Sequence, residues 1–270
     1  MKLIHLDSRC VVDDAGCAAN LATALARGLP SCKPLPERMG RLAVVGAGPS
    51  VRGFLDELRA WDGEIWAVNG AYAYLIENGI VPHGFVALDP LPGLAEYVAK
   101  AHPATVHYIS LMCDPAVFDA LAGSHVMTWI PAQDHANIHF PQNSYLVPGG
   151  TTALTRTPAL AKMLGWRDVT IYGADCSFDQ VSRYAYPHGT YKEDSRSEVV
   201  PVMCNDEGPF YSEEALLKQA SQFGVLSQTK AIKLSFRCGG LLDAYLRAPM
   251  MDVDLHDAYN EFQQRQADAA

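Results

Sequence analysis

Two stretches of the sequence carry the residue types that hold phosphate through the backbone. "VVGAGPSV" runs an apolar segment into Gly46, Gly48, Pro49 and Ser50, and "PGGTTALTR" runs Gly149 and Gly150 into Thr151 and Thr152. Glycine lets a ligand approach the backbone closely, and proline suits a first helical position because its missing N–H would be unpaired there. Unpaired amides at a helix start attract an anion, and Thr151 or Thr152 can cap the second helix while its amides face that anion. One helix terminus contributes only about 0.3–1 kcal/mol per exposed anion, so two beside one sheet are more informative than one. Arg156, one turn into the second helix, is expected to face solvent, with a phosphate within reach as the alternative.

The first turn is not a dinucleotide fingerprint. That pattern needs a third glycine where Val51 stands, and an acid about 20 residues further on for a ribose hydroxyl. The second strand ends instead in the neutral Asn69, and the nearby acids Asp62 and Glu64 lie before or at that strand's start. A G-x-x-x-x-G-K-[ST] loop is also missing. "HANIH" places His135 and His139 at helical spacing, but the glutamate of a zinc hydrolase is missing and prolines flank the segment, so zinc catalysis is not indicated.

The elements that must position these turns are legible as alternation. β-rich runs at 42–47, 64–69, 84–89, 106–110, 125–130, 168–173 and 231–236 alternate with helical patterns near 50–60, 71–79, 115–122, 151–164 and 213–224. That order predicts a Rossmann-like α/β fold, a mainly parallel sheet with helices on both faces. Residues 1–40 read as a small N-terminal appendage of strand, helix and Pro-containing linker, 41–240 as the main domain, and 241–270 as a C-terminal helical extension that could serve as an oligomer contact. The polar, Tyr-rich stretch 183–208 reads as either a lid or a long surface excursion. In such sheets ligands bind beyond the carboxyl ends of the strands, which is where both glycine turns fall.

Composition narrows the partners. A formal net charge of −9 argues against a broad nucleic-acid or anionic-membrane surface. Seven cysteines, odd in number and without a CxxC pair, indicate neither a disulfide framework nor a zinc ribbon and suit a reducing cytoplasm. The sequence shows neither a signal-peptide pattern nor a run long enough to span a bilayer, so a cytoplasmic protein is expected.

"VVGAGPSV", "WAVNGAYAYLIENGIVPHGFVALDP" and "GGTTALTRTPALAKMLGWRDVTIYGAD" together resemble the archaeal 6-hydroxymethylpterin diphosphokinase (MptE-like) family. That family is similar in motif order to bacterial motility accessory factors and to a bacterial sialyltransferase family. The resemblance covers roughly Leu42 to His188 and implies transfer of a group from a nucleotide donor to a small acceptor: diphosphate from ATP, or a sugar from a CMP-activated donor. It implies that Gly46, Gly48, Pro49, Ser50 and the 149–152 turn cradle donor phosphates and that Asn69 binds nucleotide or acceptor. A plain helix-capping Asn is the alternative there. Asp89, in "VALDP", matches an aspartate suited to Mg²⁺, which takes one or two carboxylates plus phosphates and waters; a turn-shaping residue is the alternative. Asp175, after "TIYG", is the second candidate for metal or acceptor, and His188 is the candidate acid or base. Tyr184, Tyr186 and Tyr191 could stack on a base or pterin ring, and exposed loop tyrosines are equally expected. The expected function is an MptE-like pyrophosphokinase, with a CMP-sugar glycosyltransferase and a non-catalytic nucleotide-binding accessory protein as alternatives.

Overall fold

The structure is a computed structural model and describes residues 12–132, 140–142, 144–179, 184–185 and 199–247. Its strands are β1 (Arg41–Val45), β2 (Glu64–Val68), β3 (Gly84–Ala87), β4 (Val106–Ser110), β5 (His125–Pro131), β6 (Leu146–Val147), β7 (Asp168–Tyr172), β8 (Val200–Cys204), β9 (Glu207–Ser212) and β10 (Lys233–Arg237). The helices are α1 (Asp14–Ala26), α2 (Leu55–Arg59), α3 (Ala71–Glu77), α4 (Pro115–Ala120), α5 (Ala153–Met163), α6 (Glu214–Ser227) and α7 (Gly240–Arg247), with 3-10 turns at Pro49–Phe54 and Pro92–Val98.

Eight strands form one parallel sheet in the order β10-β7-β1-β2-β3-β4-β5-β6. The central strands are near-continuous apolar runs because both of their faces are covered. Alternation in β1 shows it: Leu42 and Val44 enter one core with α5, α6 and α7, whereas Ala43 and Val45 enter the other with α1, α2, α3 and α4. The expected α/β class and the two-sided covering are therefore what the chain adopts. Cys17, Leu21 and Ala24 of α1 lie in the second core, so this helix, expected within the N-terminal appendage, forms part of the covering layer.

The chain steps outward from β1 to β6, then returns through α5 to place β7 on the opposite side of β1. The order of strands reverses between β1 and β7, the switch point at whose carboxyl ends sheets of this kind bind ligands in a crevice. Two smaller features lay outside the sequence reading. Pro30–Cys32 lies along the outer side of β5, with Thr128 N–H donating to Pro30 O (2.7 Å) and Cys32 N–H to Thr128 O (2.7 Å). The end of the 183–208 stretch belongs to an antiparallel hairpin, β8–β9, turning at Asn205 and Asp206. The rest of that stretch, apart from 184–185 and 199, lies outside the described residues, as do His135, His139, Tyr186, Tyr191 and the extension beyond Arg247.

Candidate active site at the strand switch

The turn after β1 is held by the turn after β7. Gly46 N–H donates to Tyr172 O (2.8 Å), Gly48 N–H to Gly173 O (2.9 Å), and Ser50 N–H to Asp175 Oδ2 (2.7 Å). A Cβ on Gly46 would lie 2.6 Å from Leu154 Cδ2, and one on Gly48 would lie 2.6 Å from Gly173 O. These glycines are therefore required by the close approach of protein to protein. Pro49 takes the expected place at the start of the 3-10 turn. The amides of Gly46, Gly48 and Ser50, expected to cradle phosphate, already have acceptors within the chain. The side-chain Oγ of Ser50, by contrast, is buried without a partner.

Asp175 does more than face this turn. It is 4% exposed, and its Oδ1 accepts from Gly239 N–H (2.7 Å) while Oδ2 holds Ser50 N–H. One carboxylate thus ties together the segments that follow β1, β7 and β10, with both oxygens committed to amides.

On the other side of β1, Asn69 adopts a left-handed backbone (φ 48°), which asparagine tolerates better than most residues. Its Nδ2 donates to Asp89 Oδ2 (2.8 Å) and its Oδ1 is buried without a partner. Asn69 does not cap α3; its side chain joins the ends of β2 and β3. Burial raises the Asp89 carboxyl above its ordinary range, with the Asn69 bond acting in opposition. Burial, reinforced by the charge of Asp89, likewise holds the neighbouring Cys113 thiol well above its usual value. Asp89 and Asp175 stand at the ends of β3 and β7, three strand intervals apart, about 14 Å at 4.8 Å per interval. The fold brings each beside a candidate binding residue and does not bring the two carboxylates together. Among the described residues no group of three or more His, Cys, Asp or Glu is placed to hold a metal ion.

The second glycine turn returns to this region through α5, because Leu154 packs on Gly46. Thr152 is the cap: its Oγ1 accepts from Thr155 N–H (3.2 Å), and Thr155 Oγ1 accepts from Thr152 N–H (3.1 Å). Thr151 N–H donates to Gln222 Oε1 (3.0 Å) of α6. These amides too are satisfied by the chain itself. Arg156 departs from expectation: it is 4% exposed, and Nη1 donates to Ala132 O and Val147 O, both at 3.0 Å. Gly149, with φ 142°, packs against it closely enough that an added Cβ would lie 3.0 Å from the Arg156 Cα and Cγ.

Arg52 escaped the sequence reading. Its guanidinium donates to Ala185 O (2.8 Å) and Tyr184 O (2.8 Å) and pairs with Asp179 (2.7 Å), while Ala185 N–H donates to Ala47 O (2.9 Å). The segment following β7 is thereby fastened over the first turn. Its partners lie 127 to 133 residues away in sequence, and no local pattern announces them. His188 lies outside the described residues.

A family model described as "6-hydroxymethylpterin diphosphokinase MptE-like" matches residues 18–181, a span from α1 to just beyond β7 that includes both glycine turns, Asn69, Asp89 and Asp175. The chain belongs to the MptE-like family. Among solved structures, this MptE-like chain is similar to the MAf glycosyltransferase from Magnetospirillum magneticum AMB-1, with a TM-score of 0.64 at 18% identity. The match covers 97% of this chain and 43% of the glycosyltransferase, so the chain spans less than half of that protein and shares its fold. None of the curated proteins matches the sequence. Family membership supports a nucleotide-related transferase in general.

Proposed function

We propose that this MptE-like protein transfers diphosphate from ATP to a hydroxymethyl-pterin-like acceptor, with the donor bound in the crevice beside β1. The observation that carries the reading is a pair of buried polar atoms without partners among the described residues, Ser50 Oγ and Asn69 Oδ1, at the carboxyl ends of the adjacent strands β1 and β2. Burying a polar atom unpaired costs about 1–3 kcal/mol, and a polar ligand in the switch-point crevice would satisfy both. The phosphates would be held by these side chains and by the outer surface of the glycine turn, whose own amides support its shape.

In this reading the acceptor hydroxyl attacks the β-phosphorus of ATP, the new O–P bond forms as the bond to the α-phosphate oxygen breaks, and AMP leaves. The hydroxyl proton passes to a base, for which His188 is the candidate. The donor set suits Mg²⁺ at Asp89, which has one carboxyl oxygen outside its bond to Asn69, and not at Asp175, whose oxygens are both taken. When bound, Mg²⁺ would neutralise charge on the transferred diphosphate.

A second reading, transfer of a sugar from a CMP-activated donor, is favoured by the separation of the two carboxylates, because a nucleoside monophosphate leaving group depends less on a metal site. Thermal unfolding separates the two. A donor at about 100 times its dissociation constant adds about 2.7 kcal/mol, a midpoint rise of roughly 5–10 °C for a domain of this size. ATP with Mg²⁺ is expected to produce it, followed by AMP release with the pterin acceptor. A response to CMP alone would reverse the order, and silence toward both would favour a different ligand or the accessory-protein alternative.

A further inference from the structure

Arg156 is the only Lys or Arg that is buried among the described residues. A guanidinium has five N–H donors in a rigid fork. Two carbonyl bonds occupy Nη1, while Nε is enclosed without a partner. Nη2 has no partner among the described residues either, and it is not among the enclosed orphan atoms, so it carries what access to solvent the side chain keeps. No carboxylate among those residues pairs with it. Nε–H and Nη2–H point the same way along one edge of the guanidinium, the edge that grips two oxygens of a carboxylate or phosphate side by side.

A charge this enclosed would normally be matched within the fold, because an uncompensated buried ion is costly. Desolvation lowers the Arg156 pKa to about 10, which leaves the group cationic at neutral pH. Its place is where ligands of such sheets bind, at the carboxyl ends of β5 and β6. It lies two residues beyond Leu154, whose side chain covers Gly46. Positions two apart on a helix face nearly opposite ways, so the guanidinium is directed to the ends of β5 and β6, four and five strand intervals from β1 along the same edge of the sheet.

We propose that Arg156 is the receptor for an anionic group, a carboxylate or a phosphate, carried by one of the two substrates, with the two carbonyls of Ala132 and Val147 holding its fork in place. The word substrate rests on the transferase reading; the anion site itself does not. Two sources share this chemistry, a donor phosphate and an acidic acceptor. An acidic acceptor would set the protein apart from a transferase acting on an uncharged pterin.

The test titrates the full chain with inorganic phosphate and with acetate by calorimetry, in wild type, Arg156→Met and Arg156→Lys. Wild type is expected to bind at least one of the two anions, and Arg156→Met to bind it about tenfold or more weakly, as expected for losing a charge-assisted hydrogen bond. Arg156→Lys should fall between, having charge without the fork. A folded Arg156→Met with unchanged anion affinity, or a wild type that binds neither anion, overturns the proposal. Should both variants fail to fold, the Nε–H resonance of Arg156 in the wild type decides: a shift on phosphate or acetate titration supports the site, and none refutes it. Saturating ATP with Mg²⁺, or CMP, distinguishes the sources, abolishing the response if the anion is the donor's and sparing it if it is the acceptor's. Anion binding lost in Arg156→Met in a protein deaf to all nucleotides would leave this site standing while the transferase reading fell.

Discussion

The two glycine turns look alike in sequence and behave differently in the fold. The turn at 149–152 is closed by Thr152 and Thr155, which bond reciprocally, and by Gln222 of α6, which takes the amide of Thr151. The turn at 46–50 is held from outside by the segment after β7, and it leaves Ser50 Oγ buried and unmatched. A turn whose threonine amides and hydroxyls all have partners is accounted for as architecture. One whose backbone is fixed while a side-chain atom stays unpaired has a geometry prepared for something else.

The sharpest way to break this contrast is Asp175→Ala. Losing two bonds from amides to a buried carboxylate should cost about 3 kcal/mol in urea unfolding, with Asp175→Asn losing roughly half as much. If the Asn variant keeps full stability and changes only Mg²⁺ dependence, Asp175 is a metal ligand and the clasp is incidental. Next in size is Gly48→Ala, which drives a methyl against the backbone carbonyl of Gly173 and should cost about 2 kcal/mol. Gly150→Ala meets mainly the movable ends of Gln222 and Thr155 and should cost less; equal losses would erase the distinction.

Smaller effects sharpen the comparison from the ligand side. Thr152→Ala removes a helix cap and should lower stability by about 1 kcal/mol without altering nucleotide affinity. Ser50→Ala should do the reverse, changing stability by less than about 0.5 kcal/mol while weakening nucleotide binding about tenfold. Calorimetry on both variants reads the crossover, and a nucleotide loss at Thr152 matching that at Ser50 would refute it.

Two titratable groups, the partly buried Asp89 and the wholly buried His107, give opposite pH signatures. The Asp89 carboxyl is raised in the folded state, so its contribution to stability is complete below the ordinary carboxyl pKa and is lost as pH rises through the folded value. Asp89→Asn should therefore be more stable than wild type at pH 7 and lose that advantage in acid, even as transfer activity falls. His107 is wholly buried, with Nε2 unpaired, and burial lowers its pKa. Its contribution is present above the ordinary histidine value near 6.5 and is lost as pH falls through the folded one, a loss that His107→Phe should flatten. Unfolding midpoints measured from pH 4 to 8 check both signs.

The sheet was legible because its strands are mostly apolar runs that alternate with helical patterns, and each of the seven runs read from the sequence became a strand. β6 escaped because two residues carry no periodicity. The hairpin β8–β9 escaped for a different reason: Pro201, Pro209 and the polar residues before it suggest a loop, although Val200, Val202 and Cys204 alternate inward ahead of an Asn-Asp turn with two positive φ angles. That turn signal could have been found. The site was legible at the level of which loops face the crevice. What each residue does there was not, because Asp175 meets Ser50 across 125 residues, and Arg156 turns inward to carbonyls of Ala132 and Val147 that no local pattern announces.

The margins of the sheet have a consequence for handling the protein. An open strand edge offers a template on which other chains can aggregate, and short or charged edges suppress this. Pro30–Cys32 occupies the outer side of β5 at Thr128, and the two-residue β6 pairs with Ile130 and Pro131. At the opposite margin β10 begins and ends with cations, Lys233 paired to Asp168 and Arg237 to Glu57. Neither margin presents a long, flat, apolar ladder, so strand-to-strand association should remain suppressed at the protein concentrations that calorimetry and resonance titrations require.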